Sequence, residues 1–327
     1  MVSRRRVIIA LGKGALAVSV ASIAQVHKVW RIGFLWEIEQ PDYIRRFDAF
    51  KAGMSALGYA EGRDYVIELR SAQSSFSRLP PLAAELVALK VDLIVPGGTP
   101  AAVAASKATR EIPILIATVG DPVGSGLVAS MAHPGGNVTG LTSLSMELVT
   151  KRLDLLRQLL PRIRRVGLLY DPTNPNDAPS APRFESDCTK LELQPILVPA
   201  RNREEIAAAF EKLASYKAEG LIVTTGNTNT AALGDIIGYA AKYRLPAMYG
   251  LSTYPEAGGL IAYAADYPDL FRRAATYADK IFRGASPGDL AIEQPIKFDF
   301  VINKKTAKAL GIEFPQSIIL QSTQVIE

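Results

Sequence analysis

Apolar residues recur along this chain in two alternating rhythms. Short continuous runs such as Ile32–Leu35, Leu93–Val95, Ile114–Ile116, Val166–Leu169 and Leu221–Val223 are too short for buried helices and read as buried strands. Between them, apolar residues are spaced three and four apart, as in Phe47, Phe50, Met54 and Leu57, or Leu82, Leu86 and Leu89, which reads as amphipathic helix. The order from Val29 is strand, loop, helix, repeated. It predicts strands over 29–35, 65–69, 91–96, 112–116 and 137–141, with helices over 45–57, 79–89 and 100–110. Asp121 is read as the cap of a further helix with Pro122 in its first position.

The cycle then restarts. A helix is expected over 146–160, then a strand over 165–170, the Cys188-bearing helix, a strand over 195–198 and a helix over 206–216. The stretch Leu221-Ile222-Val223-Thr224-Thr225-Gly226-Asn227 repeats the device of Leu93-Ile94-Val95-Pro96-Gly97-Gly98-Thr99. Each is a buried strand, a turn containing glycine, a hydroxyl and an alanine-rich helix. Strands over 245–249 and 258–263 match those at 112–116 and 137–141. The pattern predicts an α/β fold of two similar doubly wound lobes, each a parallel sheet covered on both faces, joined by a hinge. The remaining helix 268–282, strand 297–302 and helix 304–310 are too few for a third domain and are read as segments that recross the hinge. The expected lobes are 28–141 with about 266–292, and 142–265 with about 293–327.

Right-handed crossovers put all strand C-ends of a lobe on one edge, and ligands of open α/β sheets bind there. Two such edges facing each other make a cleft. Thr99 and Pro100 read as N-cap and N1 of a helix whose amides favour an anionic group. The strand-end loops supply Trp36, Glu37, Arg70, Gly98, Thr99 and Asp121 from the first half, and Asp171, Asn174, Thr224, Thr225, Asn227, Tyr249 and Asp266 from the second. Hydroxyls and amides suit a carboxylate. Asp121, Asp171 or Asp266 offers a partner for an ammonium, and Trp36, Tyr249 and Tyr254 offer rings for a flat side chain. The expected ligand-binding set is therefore Trp36, Gly98, Thr99, Asp121, Asp171, Asn174, Thr225, Asn227, Tyr249 and Asp266, equipment for an amino-acid-like molecule, aromatic ones included.

Composition narrows the class. The net charge of +5 looks basic, yet Arg4, Arg5, Arg6 and Lys13 stand in the first 24 residues with no acid among them, and without that segment the chain carries +1. A nucleic-acid partner is not expected from so neutral a body. The arginine run, the apolar stretch Val7–Ile23 broken by Lys13, and the small residues Ser22 and Ala24 read as a signal peptide over 1–24, hence export. The paired arginines also suit the folded-export route. With Cys188 alone there is no intrachain disulfide. The two histidines, His27 and His133, sit beside no plausible nucleophile, and no nucleophile elbow, phosphate loop or metal-ligand cluster appears. No catalytic residue, cofactor or metal is expected.

Asp121-Pro122-Val123-Gly124, Gly126-Leu127-Val128-Ala129-Ser130 and Pro134-Gly135-Gly136-Asn137-Val138-Thr139-Gly140 resemble the signature of a family of periplasmic substrate-binding proteins of ABC transporters, one that includes tryptophan- and tyrosine-type members. Lys151-Arg152-Leu153 and Ile302–Ala307 are similar too, and the likeness runs from about Val29 to Ile319. The resemblance implies a type I periplasmic-binding fold, a periplasmic monomer closing on a solute, and docking to an ABC permease in the inner membrane. A ligand-sensing receptor component of the same fold is the alternative.

Overall fold

The structure, a computed structural model, describes residues 28–38 and 41–327. The expected signal segment 1–24 lies outside these residues. The first half forms strands β1 (Trp30–Trp36), β2 (Tyr65–Ser71), β3 (Leu93–Pro96), β4 (Ile114–Val119) and β5 (Val138–Thr142), interleaved with helices α1 (Pro41–Ala56), α2 (Leu79–Ala88) and α3 (Thr99–Ala108). The strands pair in parallel in the order β2-β1-β3-β4-β5.

The second half opens with α4 (Glu147–Leu159) and continues β6 (Arg165–Tyr170), α5 (Ser180–Lys190), β7 (Gln194–Pro199), α6 (Arg203–Ser215) and β8 (Gly220–Val223). Then come α7 (Asn227–Ala231), α8 (Leu233–Lys242), β9 (Ala247–Tyr249), α9 (Thr253–Glu256), β10 (Ile261–Ala265), α10 (Tyr267–Phe282), β11 (Phe298–Asn303), α11 (Lys304–Leu310), α12 (Gln316–Gln321) and β12 (Gln324–Ile326). Within its seven-stranded sheet, β7-β6-β8-β9-β10 repeats the strand order of the first. The sheet differs from an all-parallel one at its far edge, where β11 runs antiparallel to β10 and β12 pairs with β11.

Each sheet is buried on both faces, which is why its strands are continuous apolar runs. In the first lobe one face packs Phe34, Phe50 and Phe271, and the other packs Leu35, Leu86 and Ile94. In the second, one face packs Leu153, Leu168 and Phe184, and the other Leu169, Phe210 and Tyr254. The chain passes between the sheets three times: after β5, after β10, and between α10 and β11. The middle passage sends α10 back onto the first sheet, where Leu270, Phe271, Ala274 and Ala278 join the core beside α1.

Three boundaries differ from the sequence reading for identifiable reasons. Helix α1 begins at Pro41, where the missing N–H costs nothing, and not at Arg45. Thr99 is the first helical residue of α3 and Gly98 its cap. The helix expected after Asp121 is a series of turns, since Gly124 and Gly126 weaken it and Asp121 instead accepts from the Gly124 N–H at 2.7 Å.

Helices α1 and α10 touch at Gly53. A methyl group there would lie 2.4 Å from the Arg272 carbonyl oxygen and 2.7 Å from the Ala275 Cβ. Helix propensity alone favours alanine over glycine by about 1 kcal/mol, whereas overpacking costs about 1–3 kcal/mol. The substitution Gly53→Ala is expected to lower stability to urea by up to about 2 kcal/mol. A gain in stability would show that the two helices do not meet at this residue.

Candidate functional site

The site grows from the end of β1. Glu37 follows it, fully buried, and turns its carboxylate toward the start of α3. Its Oε1 accepts from the Ala101 N–H at 3.1 Å, and its Oε2 accepts from the Tyr43 hydroxyl at 3.3 Å. A carboxylate at a helix N-terminus is well placed electrostatically. The two glycines of the β3–α3 turn are needed for this approach. A Cβ on Gly97 would lie 2.6 Å from Glu37 Oε2 and 2.7 Å from the Tyr43 ring, and one on Gly98 would lie 3.1 Å from Glu37 Oε1. Gly98 itself has an extended backbone, so close approach, and not a left-handed turn, explains it. Burial pushes the Glu37 carboxyl up to about 7, although the Ala101 N–H, its own backbone amide, Tyr43 and Arg46 all favour the ionised form.

The next turn of α1 carries Arg46, 5% exposed on the helix's apolar face. It is paired with Asp42, and the rings of Tyr43 and Tyr267 stand 4.6 and 4.4 Å from the guanidinium carbon. Burial works against its charge, but Asp42, Tyr43 and Tyr267 together more than offset that and hold its pKa above the ordinary value. Its Nε is buried with no hydrogen-bond partner.

The second lobe answers with the β6–α5 loop. Asn176 reaches across the cleft: its Oδ1 accepts from Thr99 Oγ1 at 3.4 Å and Ser145 Oγ at 3.0 Å, and its Nδ2 donates to Thr225 Oγ1 at 3.2 Å. Asn174 Oδ1 accepts from the Asn176 N–H at 2.9 Å. The Tyr43 hydroxyl, whose single proton is shared with Glu37 Oε2, reaches Asn227 Oδ1 at 3.4 Å, and Arg45 pairs with Glu256 at 3.3 Å. These contacts bring the two strand-end edges together around a cavity. The cavity is only about 30 Å³, so the edges stand nearly shut.

Of the residues expected from sequence, Gly98, Thr99, Asn174, Thr225 and Asn227 line this cavity. Five others do not. Trp36 packs edge-on behind Tyr43, with ring centroids 5.5 Å apart, inside the first lobe's core. Asp121 closes its turn. Asp171 accepts from the Thr173 amide and hydroxyl and from the Thr228 hydroxyl, so its oxygens are occupied. Tyr249 stacks on Tyr254 at 4.3 Å within the second lobe's core. Asp266 caps α10 by accepting from the Asp269 N–H. Each sits at a strand end, but polar side chains there also serve the backbone. Lining residues that the sequence reading missed include Tyr43, Arg46, Thr118, Asn176 and Tyr267. Arg46 had a signal: it sits on the apolar stripe with Tyr43, Phe47 and Phe50, where an arginine has no solvent to reach. Among the described residues no group of three or more His, Cys, Asp or Glu could hold a metal ion, and no helix is long and apolar enough to cross a membrane.

Comparison with known proteins bears on this geometry. Residues 31–326 match the family described as ABC transporter substrate binding protein. A tyrosine-binding protein of Clostridioides difficile (strain R20291) is 28% identical over 283 residues, 86% of this chain and 81% of the relative. A crystal structure of a Streptococcus pneumonia protein in complex with L-Trp superposes with a TM-score of 0.84 at 26% identity, covering 91% of this chain and all of the other. The ligand-free, open structure of a substrate-binding protein with adhesive properties from Clostridium difficile gives 0.70 at 27% identity, covering 91% of this chain and 99% of the other. At nearly equal identity, the chain superposes better on the complex than on the open form.

The buried Glu37 carries a pH signature. Below its ordinary value of 4.5 it is protonated in both folded and unfolded chains. From 4.5 to about 7 the folded protein keeps a proton that the unfolded chain has lost, so stability falls as pH rises through this window and levels off above it. Asp177 and Asp299, each pushed up to about 6 mainly by burial, titrate in the same window, so the comparison is with Glu37→Gln. The wild type is expected to lose about 3 kcal/mol relative to this variant between pH 4.5 and 8, read from urea unfolding. Parallel stability curves for the two proteins would contradict this.

Proposed function

The chain belongs to the family of ABC transporter substrate-binding proteins, and from that premise we propose that it is exported to the periplasm, where as a monomer it captures a small amino-acid-like solute in the interlobe cleft and delivers it to an ABC permease in the inner membrane. The observation that carries this reading is the composition of the cavity wall. Tyr43, Arg46, Gly98, Thr99 and Thr118 come from the first lobe, and Asn174, Asn176, Thr225 and Asn227 from the second. A guest touching both walls stabilises the closed state by the difference between its contacts in the closed and open forms.

The amino-acid-like class draws its support from the C. difficile relative named for tyrosine and from the neighbour in complex with L-Trp. The N-terminus of α3, with Thr99 beside it, suits a carboxylate. Export is supported by Arg4-Arg5-Arg6 and the apolar run behind them. The wall's amides, hydroxyls, rings and guanidinium are groups that hold a guest, which supports a binding role.

A thermal-shift screen of amino acids and related acids tests this directly. A ligand at a hundred times its Kd adds about 2.7 kcal/mol of stability and a clear rise in Tm. For the best hit, Thr99→Val is expected to weaken binding about tenfold, the loss of one hydrogen bond of about 1.4 kcal/mol, and Asp121→Ala to leave it within about twofold. An unchanged affinity in Thr99→Val would move the binding site away from this cleft.

A further inference from the structure

The cleft is charged on one side only. The three aspartates that the sequence offers to an ammonium are engaged elsewhere: Asp121 in its turn, Asp171 with Thr173 and Thr228, and Asp266 at the start of α10. No aspartate or glutamate is among the residues that line the cavity. Two acids stand behind the wall and do not line it: Glu37 is closed off by Gly97, Gly98 and Tyr43 with both oxygens occupied, and Asp177 lies behind Gly226, where its Oδ2 accepts from the Thr224 hydroxyl and its Oδ1 is buried without a partner. Asp42 faces the neighbouring surface groove with Arg45 and Glu256.

The positive side is built. Arg46 lines the cavity, is nine-tenths buried, and keeps its Nε without a partner. Gly98, the cap of the ten-residue helix α3, and its first residues Thr99 and Pro100 form the adjoining wall. Asp42 pairs with one side of the Arg46 guanidinium and Glu37 takes the Ala101 N–H of α3, so the feature left for an anion is the unused Nε–H of a charged donor. An ammonium taken into the same cavity gains no counter-charge, and its desolvation is uncompensated.

From this asymmetry we propose that the preferred guest is an organic acid without a free ammonium: a 2-oxo, 2-hydroxy or aryl carboxylate of amino-acid size. Its carboxylate lies between Arg46 and the N-terminus of α3, and the hydroxyl and amide groups of Asn174, Thr225 and Asn227 meet its remaining oxygen. The inference rests on the cleft being the binding site and names the class of solute it selects.

Calorimetry on the purified chain at neutral pH tests it with matched pairs: phenylpyruvate and phenyllactate against L-phenylalanine, and 4-hydroxyphenylpyruvate against L-tyrosine. Each acid is expected to bind at least about tenfold more tightly than its amino acid. Arg46→Met, checked for folding by its melting curve, is expected to weaken the acids at least about thirtyfold. Should loss of the Asp42 pair unfold that variant, Arg46→Lys keeps the charge and is expected to bind the acids more weakly while retaining the preference over amino acids. Equal or tighter binding of the amino acids overturns the inference and leaves the solute-binding role intact. So does acid binding that is unchanged in a folded Arg46 variant. Absence of heat and of thermal shift with every member of both sets overturns the binding role as well.

Discussion

A parallel sheet gathers the start of every following helix onto one edge, and with it a row of backbone N–H groups that no helix can satisfy internally. This protein sets two such edges against each other. Some of these groups are answered from within the chain: Glu37 serves α3, Asn202 caps α6 and Asp266 caps α10. On the cavity wall that Arg46 shares with the first turn of α3, the Arg46 Nε is a buried donor left unmet. A buried donor without a partner costs stability in the empty protein, and a guest with acceptor oxygens relieves that cost.

The contacts that hold the edges together suit reversible closure. Thr99 to Asn176 and Tyr43 to Asn227 are single hydrogen bonds at the long end of the range, and Arg45–Glu256 is a half-exposed ion pair. None contributes more than a small stabilisation in contact with water. The lobes themselves are each held by an apolar core on both sheet faces, and α10 is locked to α1 at Gly53. Stiff bodies joined by weak, solvent-reachable contacts move as units, so the energy of binding is spent on the hinge and not on deforming either lobe.

Much of this architecture is legible before any coordinates. The repeat of Leu93–Thr99 at Leu221–Asn227 reveals the doubled lobe, and it also locates both cavity walls, because strand order and the right-handed crossover leave little choice of edge. The side chains were harder. Asp171, Asp121 and Asp266 stand at strand ends and look free in sequence, yet a short acid beside an open helix or turn folds back onto the nearest amide. Trp36 and Tyr249 belong to the cores because their rings fill space left by the small residues Gly97 and Gly259. Arg46 escaped for the opposite reason. Helical spacing puts it among aromatic residues, and only the structure shows that the surface beyond them is the cavity wall.

The central claim is that a guest spans the two lobes and drives the hinge shut. Small-angle X-ray scattering of the purified chain, with and without a ligand shown by calorimetry to bind, measures this most directly. The account predicts a smaller radius of gyration at saturation, with a scattering curve that fits the closed arrangement described here. An identical curve with and without bound ligand would contradict it, because binding would then proceed without any closure of the cleft.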